Sequence, residues 1–199
     1  MKKVLVLGAG LVAHPTVQYL LEHGFYVTVV SIEAAMAEAL VKNHPYGHAV
    51  VMDVSDRTAL GRLVAEHDLT VSLLPAVMHV MVAEICLANK KHMVTASYVK
   101  PEMRALSEAA EKAGVLLLNE IGLDPGIDHM SAMEVIHRAA KEGGRVVEFS
   151  SSCGGLPAPD ANDNPLGYKF SWSPRGVLLA AKNSARFLKD GKIVEIPGE

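Results

Sequence analysis

The chain has 199 residues, of which 50% are hydrophobic and 21% are charged, so it is long enough and apolar enough to bury a core. A net charge of -3 with scattered signs provides no basic face for a nucleic acid, and Cys86 and Cys153 are too isolated to suggest a disulfide framework. No stretch approaches the roughly 20 apolar residues that a membrane span requires. These features predict a soluble, cytoplasmic protein that binds neither nucleic acid nor a membrane.

Short apolar segments alternate with helical patterns through the first 118 residues. The predicted strands cover residues 3–7, 26–30, 48–52, 69–74, 92–95 and 115–118. Helices are predicted between successive strands, at about 12–23, 33–43, 56–64, 77–89 and 101–113. Six strands separated by helices indicate the α/β class with a doubly wound parallel sheet, which is the Rossmann arrangement.

The pattern changes after residue 119. Asp124 is predicted to cap a helix that has Pro125 in its first turn and runs to about Lys141. Further predicted elements are strands at 145–152 and 168–172, a helix at about 174–188 and a last strand at 193–196. This pattern predicts the start of a second, α+β domain for substrate binding or dimerisation, and divides the chain into 1–123 and 124–199. The last strand has no later partner, which is typical of an interrupted fold.

The stretch Gly8-Ala9-Gly10-Leu11-Val12-Ala13 joins the first predicted strand to the first predicted helix. Gly8 would allow a tight turn and Gly10 a close backbone approach, while Ala13 is small enough for helix–strand packing. A helix N-terminus with free N–H groups can bind the pyrophosphate of a dinucleotide. The alternative is a β-turn-α connection that binds no ligand.

Ligands of doubly wound sheets bind beyond the carboxyl ends of the strands. Besides the glycine stretch, the residues predicted to lie there are Ser31, Ile32, Glu33, Asp53, Val54, Leu74, Pro75, Ala96, Ser97, Tyr98 and 119–124. No His, Cys or carboxylate spacing typical of a metal site is present.

Six segments carry a resemblance to a known family: GAGLVAHP, VSLLP, VTASYVKPEMR, NEIGLDPGIDHM, SSCGGLPAPDANDNPLGYKFSWSPRGVLLAAKNSA and FLKDGKIVEI. In this order they closely resemble the L-glutamate-forming saccharopine dehydrogenases over essentially the whole chain. Members of that family are longer, so the resemblance implies an N-terminal part of one. It also implies reversible oxidation of saccharopine to L-glutamate and 2-aminoadipate 6-semialdehyde, with NADP or NAD, in lysine biosynthesis or degradation.

The resemblance implies where the cofactor binds. Beyond the glycine stretch, the implied contacts are Ser31, Ile32, Glu33, Asp53, Val54, Leu74, Ala96, Ser97, Leu123, Asp124, Pro125 and Ser173. NADP-using relatives carry an Arg where this chain has Ile32, and Glu33 could instead be a carboxylate at the start of a helix, so the cofactor stays open with a slight preference for NADP. Asp53 could equally stabilise a turn, and Ser173 could cap a helix.

Three residues are candidates for the chemistry. Asp124 would bind the substrate ammonium near the positive end of a helix, and Ser97 and Tyr98 would also contact the substrate. Cys153 is a candidate proton carrier, against the alternative of an inert thiol. Asp124, Tyr98 and Cys153 are therefore the predicted catalytic residues.

Two other functions compete with this one. The chain could be another amino-acid or polyamine dehydrogenase of the same superfamily, or a dinucleotide-binding fragment or subunit that turns saccharopine over poorly without a partner. The predicted last helix would leave an uncovered apolar face of Val177, Ala181, Ala185 and Leu188. Such a face predicts a homodimer or other self-association.

Overall fold

The computed structural model describes residues 1–180 and 182–198. It divides into two compact units, Met1–Cys153 and a second unit that begins at Gly154. Each unit is described by itself below.

The first unit is built on one parallel sheet of six strands in the spatial order β3-β2-β1-β4-β5-β6. The strands are β1 (Lys3–Leu7), β2 (Tyr26–Ser31), β3 (Gly47–Val51), β4 (Leu69–Ser72), β5 (His92–Val94) and β6 (Leu117–Leu118). The predicted α/β class and doubly wound parallel sheet are confirmed. Successive strands run outward in one direction from β1 and in the other from β4, so the switch point of the topology lies between these two strands.

Helices connect the strands. They are α1 (Ala13–Glu22), α2 (Ala34–Val41), α3 (Arg57–Glu66), α4 (His79–Ala88), α5 (Pro101–Arg104) and α6 (Ser107–Ala113), with a 3-10 turn over Ala76–Met78. The cap predicted for α3 is confirmed, because the Asp56 carboxylate accepts the N–H groups of Thr58 and Ala59 at 3.1 and 3.0 Å. The single helix predicted at 101–113 is two short helices, since the N–H of Leu106 bonds to the carbonyl of Met103, three residues back.

The core has two layers, one on each face of the sheet. Alternation along β1 sends Val4 and Val6 to one face and Leu5 and Leu7 to the other, and all four are at most 2% exposed. Helices α1 and α2 cover the first face, and α3 and α4 cover the second. Burial on both faces explains why the strands form near-continuous apolar runs in the sequence.

The segment before α7 (Ile127–Lys141) corrects one prediction. Asp124 does not cap this helix, because Gly126 occupies the N-cap position with a φ of 151°. A tight turn precedes the helix instead: the N–H of Gly122 bonds to the carbonyl of Pro125, and the N–H of Ile127 to the carbonyl of Gly122. The predicted C-terminal end near Lys141 is confirmed.

Residues 145–152 and 168–172 are not strands in the structure, contrary to the sequence prediction. A strand requires a neighbouring chain segment to accept and donate its backbone hydrogen bonds. Within the described residues, no segment pairs with either stretch, so their β-branched and aromatic composition alone does not make them strands.

The second unit ends in a hairpin rather than in a long helix. Helix α8 covers only Pro174–Ala180, and β7 (Ala185–Lys189) pairs antiparallel with β8 (Lys192–Ile196). Asp190 and Gly191 both have positive φ, as a two-residue hairpin turn requires. The helix predicted at 174–188 is therefore wrong from residue 182 onward, and the last strand is paired with the segment before it. Ala181 of the predicted helical face lies outside the described residues.

No helix within the described residues is both long and apolar enough to cross a membrane.

We expect Gly8→Ala to lower the free energy of unfolding by about 1–3 kcal/mol, because Gly8 has a φ of 103° that L-residues rarely adopt. An added Cβ would also lie 3.1 Å from the carbonyl oxygen of Leu73. Urea unfolding followed by circular dichroism measures the change. Gly10→Ala is the matched control, since no atom lies within 4 Å of its Cβ position and its φ is not in the positive range. Equal stability of the two variants would contradict the expectation.

Candidate functional site

The carboxyl ends of the six parallel strands meet at one edge of the sheet, here called the carboxyl edge. The strand register aligns these ends, because Leu7 at the end of β1 lies beside Val30 of β2 and Ser72 of β4. The segments that follow the strands are 8–12, 31–33, 52–54, 73–75, 95–98 and 119–124. The predicted grouping of the glycine turn with the Asp124 loop at one edge is therefore confirmed, although the roles of the individual residues stay predictions.

The glycine turn exposes backbone donors. Gly8 donates its N–H to the carbonyl of Val30 at 2.9 Å, and Ala13 donates to the carbonyl of Gly10 at 3.0 Å. The N–H groups of the four residues between them, 9–12, have no backbone acceptor among the described residues. Ala13 is fully buried at the start of α1, as the packing of a small third residue requires. Free N–H groups and open space at Gly10 fit a dinucleotide pyrophosphate.

The end of β2 carries no charged side chain directly at the strand terminus. Ser31 uses its hydroxyl to accept the N–H of Glu33 at 3.1 Å, and Ile32 is 71% exposed. Glu33 occupies the N-cap position of α2, where its side chain makes no capping hydrogen bond within the described residues. The side chains at this strand end therefore do not by themselves select a ribose hydroxyl or a 2′-phosphate.

Asp53, at the end of β3, stabilises a local turn. Its Oδ1 accepts the N–H of Ser55 at 2.8 Å, and hydrogen bonds from Ser55 hold the pKa of the Asp53 carboxyl below its usual range. This geometry supports the alternative of a turn carboxylate and leaves the predicted contact near the adenine as a prediction.

Several predicted cofactor contacts differ in how accessible they are. Val54 and Pro125 are buried, whereas Leu74 and Ala96 are half-buried and Leu123 is 65% exposed. The side chain of Leu123 can therefore contact a ligand, whereas that of Val54 cannot, because it packs in the core with α3 and α4.

Tyr98 and Asp124 join the loops that follow β5 and β6. The Tyr98 hydroxyl donates to Asp124 Oδ1 at 2.9 Å. Three causes raise the pKa of Tyr98 to about 12. The largest is this hydrogen bond, and the smaller ones are partial loss of contact with water and the negative charges of nearby carboxylates. Tyr98 therefore keeps its proton at neutral pH, beside a carboxylate that faces solvent.

Cys153 is close enough to this pair to be affected by its charge. Partial removal from water and the negative charges of Asp124 and Asp128 raise the pKa of the Cys153 thiol. The thiol stays protonated at neutral pH and is exposed, so it can carry a proton and is poorly suited to act as a thiolate nucleophile. Tyr98 and Asp124 are thus in hydrogen-bond contact, and Cys153 is near enough to Asp124 for its thiol to be affected by that charge.

The neighbouring acid, Asp128, has local partners. Its Oδ1 accepts the N–H of Gly126 at 2.9 Å and a ring N–H of His129 at 2.7 Å. The hydrogen bond and charge of Asp128 raise the pKa of His129. Asp128 thereby replaces Asp124 as the carboxylate that stabilises the first turn of α7.

Two further contacts fix the β5 and β6 loops. Ser97 accepts the N–H of Glu120 on its carbonyl at 3.1 Å, and the Glu120 carboxylate accepts the N–H of Val99 at 2.9 Å. Glu120 has a φ of 62°, which is uncommon for a residue other than glycine. The segment that carries Ser97 and Tyr98 is therefore positioned by Glu120, in the segment that follows β6.

His79 is a residue of this site that sequence reasoning missed. It is 3% exposed, at the start of α4, and its Nδ1 lies 2.9 Å from Ser72 Oγ. Its Nε2 lies 2.8 Å from Ser97 Oγ and 3.2 Å from Thr95 Oγ1. Burial, together with the positive charge of Lys100, lowers the pKa of His79 to about 4. The available signal was a histidine at the head of a helix that is otherwise almost entirely apolar.

Ser173 lies in the second unit. Its hydroxyl accepts the N–H of Gly176 at 3.1 Å at the start of α8, which agrees with the alternative of a helix-start residue. Its approach to the cofactor stays a prediction.

Two family models match the chain. Residues 4–118 match the family model described as "Saccharopine dehydrogenase NADP binding domain", and residues 122–199 match "Saccharopine dehydrogenase C-terminal domain".

The chain is 50% identical to saccharopine dehydrogenase [NADP(+), L-glutamate-forming] of Schizosaccharomyces pombe, over 100% of this chain and 44% of that protein. It is 45% identical to mitochondrial alpha-aminoadipic semialdehyde synthase of Bos taurus, over 99% of this chain and 21% of that protein. The solved apo saccharopine dehydrogenase (L-Glu forming) of Saccharomyces cerevisiae superposes with a TM-score of 0.87 at 46% identity, covering 99% of this chain and 44% of that chain. The chain thus spans less than half the length of these relatives.

We expect Asp124→Asn to lower the pKa of Tyr98 from about 12 toward its ordinary value near 10, because the carboxylate acceptor that holds the phenol proton is lost. Titration of the Tyr98 ring resonances, assigned with Tyr98→Phe, measures this change. Asp53→Asn is the control, because that carboxylate bonds to Ser55 instead. An unchanged Tyr98 pKa in Asp124→Asn would show that the two side chains are not paired.

Acid should destabilise the first unit through His79. Its pKa is about 4 when folded and about 6.5 when unfolded, so between these values only the unfolded chain gains a proton. The resulting loss of stability develops as pH falls from 6.5 to 4 and is on the order of 2 kcal/mol after an allowance for solvent screening. Urea unfolding at pH 7 and pH 4.5 measures it. His79→Gln should show a smaller loss over this interval, and an equal loss would exclude His79 as the source.

Proposed function

The chain belongs to the saccharopine dehydrogenase family, and from that premise we propose that it binds NADP at the carboxyl edge and contributes to the oxidation of saccharopine to L-glutamate and 2-aminoadipate 6-semialdehyde. The observation that supports this most directly is the glycine turn with free N–H groups after β1, within the segment that matches the NADP-binding family model.

The glycine turn is the proposed pyrophosphate site. The backbone N–H groups of residues 9–12 have no backbone acceptor among the described residues. They lie in a turn at the N-terminus of α1, where the helix dipole favours an anion. The preference for NADP over NAD is supported by the family model and by the NADP-dependent relatives. When bound, NADP accepts a hydride from the substrate carbon, or returns one as NADPH in the reverse direction.

The substrate is proposed to bind beside Tyr98, Asp124 and Cys153. A secondary amine that carries amino-acid groups presents ammonium charges, which the exposed carboxylate of Asp124 can pair with. Oxidation at the CH–NH bond and the following hydrolysis both require protons to move at nitrogen and at water. Tyr98 donates a hydrogen bond to this carboxylate, and the Cys153 thiol is close enough to be affected by its charge. Both keep their protons at neutral pH, so both are proposed as hydrogen-bond donors to the groups that react.

Other features stay proposals. We propose that residues 1–123 form the dinucleotide-binding domain and that 124–199 begin the substrate-binding or dimerisation domain, in line with the family matches at 4–118 and 122–199. Self-association, a role in lysine metabolism and a cytoplasmic location are likewise predictions of the sequence.

NADPH binding by the 199-residue chain tests the proposal. We expect isothermal titration to detect binding, and Gly10→Ala to weaken it about ten-fold or more, because the added methyl group stands where the pyrophosphate approaches the backbone.

Gly61→Ala is the matched control, because Gly61 lies within α3 and its added Cβ would make only an ordinary contact with Ile85. Absence of NADPH binding by the unmodified chain would refute the proposed cofactor site. Saccharopine-dependent NADPH formation, measured separately at 340 nm, tests the prediction that this chain alone turns the substrate over poorly.

A further inference from the structure

A buried polar cluster lies at the carboxyl ends of β4 and β5. It consists of His79 with the hydroxyl groups of Ser72, Thr95 and Ser97. His79, Ser72 and Thr95 are each at most 3% exposed, and Ser97 is half-buried where the segment after β5 reaches the carboxyl edge. A histidine ring therefore links the end of β4 to the loop that carries Ser97 and Tyr98.

The hydrogen bonds of the cluster favour a proton on one particular ring nitrogen of His79. A neutral histidine has one N–H donor and one acceptor nitrogen, while each hydroxyl group has one proton to donate. Ser72 Oγ has His79 Nδ1 as its side-chain partner among the described residues. With hydrogen on Nδ1, the buried Ser72 hydroxyl would lose this acceptor, and the hydroxyl groups of Ser97 and Thr95 would compete for the one lone pair of Nε2. With hydrogen on Nε2, Ser72 donates to Nδ1 and Nε2 donates to Ser97 Oγ, so that of the two fully buried hydroxyl groups only that of Thr95 lacks an acceptor within the cluster.

The direction of these hydrogen bonds leaves the proton of Ser97 free. Ser97 Oγ accepts from His79 at 2.8 Å, and the Ser97 carbonyl is occupied by the N–H of Glu120. The one remaining donor of the Ser97 side chain is its own hydroxyl proton, at the open edge of the sheet. Hydrogen bonds that run in one direction also polarise one another, which strengthens the final donor.

We propose that His79 is a positioning residue that acts through Ser97: by donating from Nε2, it fixes the Ser97 hydroxyl as a hydrogen-bond donor to an acceptor oxygen of the dinucleotide bound at the carboxyl edge. This inference rests on the proposed NADP site. It assigns to His79 no contact with the ligand.

The chain offers a matched control in His67. This histidine is 4% exposed and makes two hydrogen bonds: Nδ1 donates to the carbonyl of Leu63 at 2.6 Å, and Nε2 accepts from the Thr28 hydroxyl at 2.7 Å. It precedes β4, at the opposite edge of the sheet from the glycine turn. We therefore expect loss of its side chain to affect the fold and to leave the carboxyl edge intact.

The first experiment measures NADPH affinity by isothermal titration in folded variants of the 199-residue chain. We expect His79→Leu to weaken binding about ten-fold and His79→Gln to restore most of it, since the glutamine amide can donate to Ser97 in place of Nε2. His67→Leu should leave the affinity unchanged while it lowers the stability. Ser97→Ala should weaken binding, and addition of His79→Leu to it should cost little more, because the two residues act as one unit.

The second experiment reads the tautomer without any ligand. Long-range ¹H–¹⁵N correlation spectra of the histidine rings should show His79 protonated on Nε2 and unprotonated on Nδ1, and Ser72→Ala should remove this preference. Protonation of Nδ1 in the unmodified chain would overturn the inference, as would equal NADPH affinities in His79→Leu and His67→Leu. If the unmodified chain bound no NADPH, the proposed function would fail and the inference with it, whichever tautomer the spectra show.

Discussion

The site depends on the parallel hydrogen bonding of β1 between β2 and β4. This strand is buried on both faces and paired along both edges. Its register therefore determines that β2 and β4 end level with it at the carboxyl edge. A slip by one residue would exchange the two faces of β1 and turn Val4 and Val6 toward the wrong layer of helices. Since both layers are filled with apolar side chains, this register is strongly specified, and the glycine turn and the loops after β5 and β6 come to the same edge.

Polar contacts join several of the segments at that edge to one another. Tyr98 to Asp124 and Glu120 to Val99 both connect the segment after β5 to the segment after β6, and His79 connects the same segment to β4. A ligand at the edge thus meets donors whose positions are already determined by the fold. Preorganised donors of this kind bind with less loss of conformational freedom than groups on mobile loops.

Local sequence patterns predicted the six-stranded sheet and the carboxyl edge because strands buried on both faces leave a strong apolar signal. The same reasoning failed where a local pattern has two structural solutions. Asp124-Pro125 is typical of a helix start, yet here these residues precede the N-cap in a tight turn, and Asp128 stabilises the first turn instead. Ala185 and Leu188 fit a helical spacing, but the Asp190-Gly191 turn pairs their segment with the following strand. His79 could not be predicted, because its three partners come from two other segments of the chain, the end of β4 and the segment after β5.

Glu120 places two demands on one position that few side chains can satisfy together. Its left-handed backbone conformation would be relaxed by glycine and is tolerated by asparagine, while its carboxylate must reach the N–H of Val99. Glycine has no acceptor to offer, and asparagine is one methylene shorter. A substitution at this position therefore either keeps the strain of the left-handed backbone or weakens the hydrogen bond that holds the neighbouring loop at Val99.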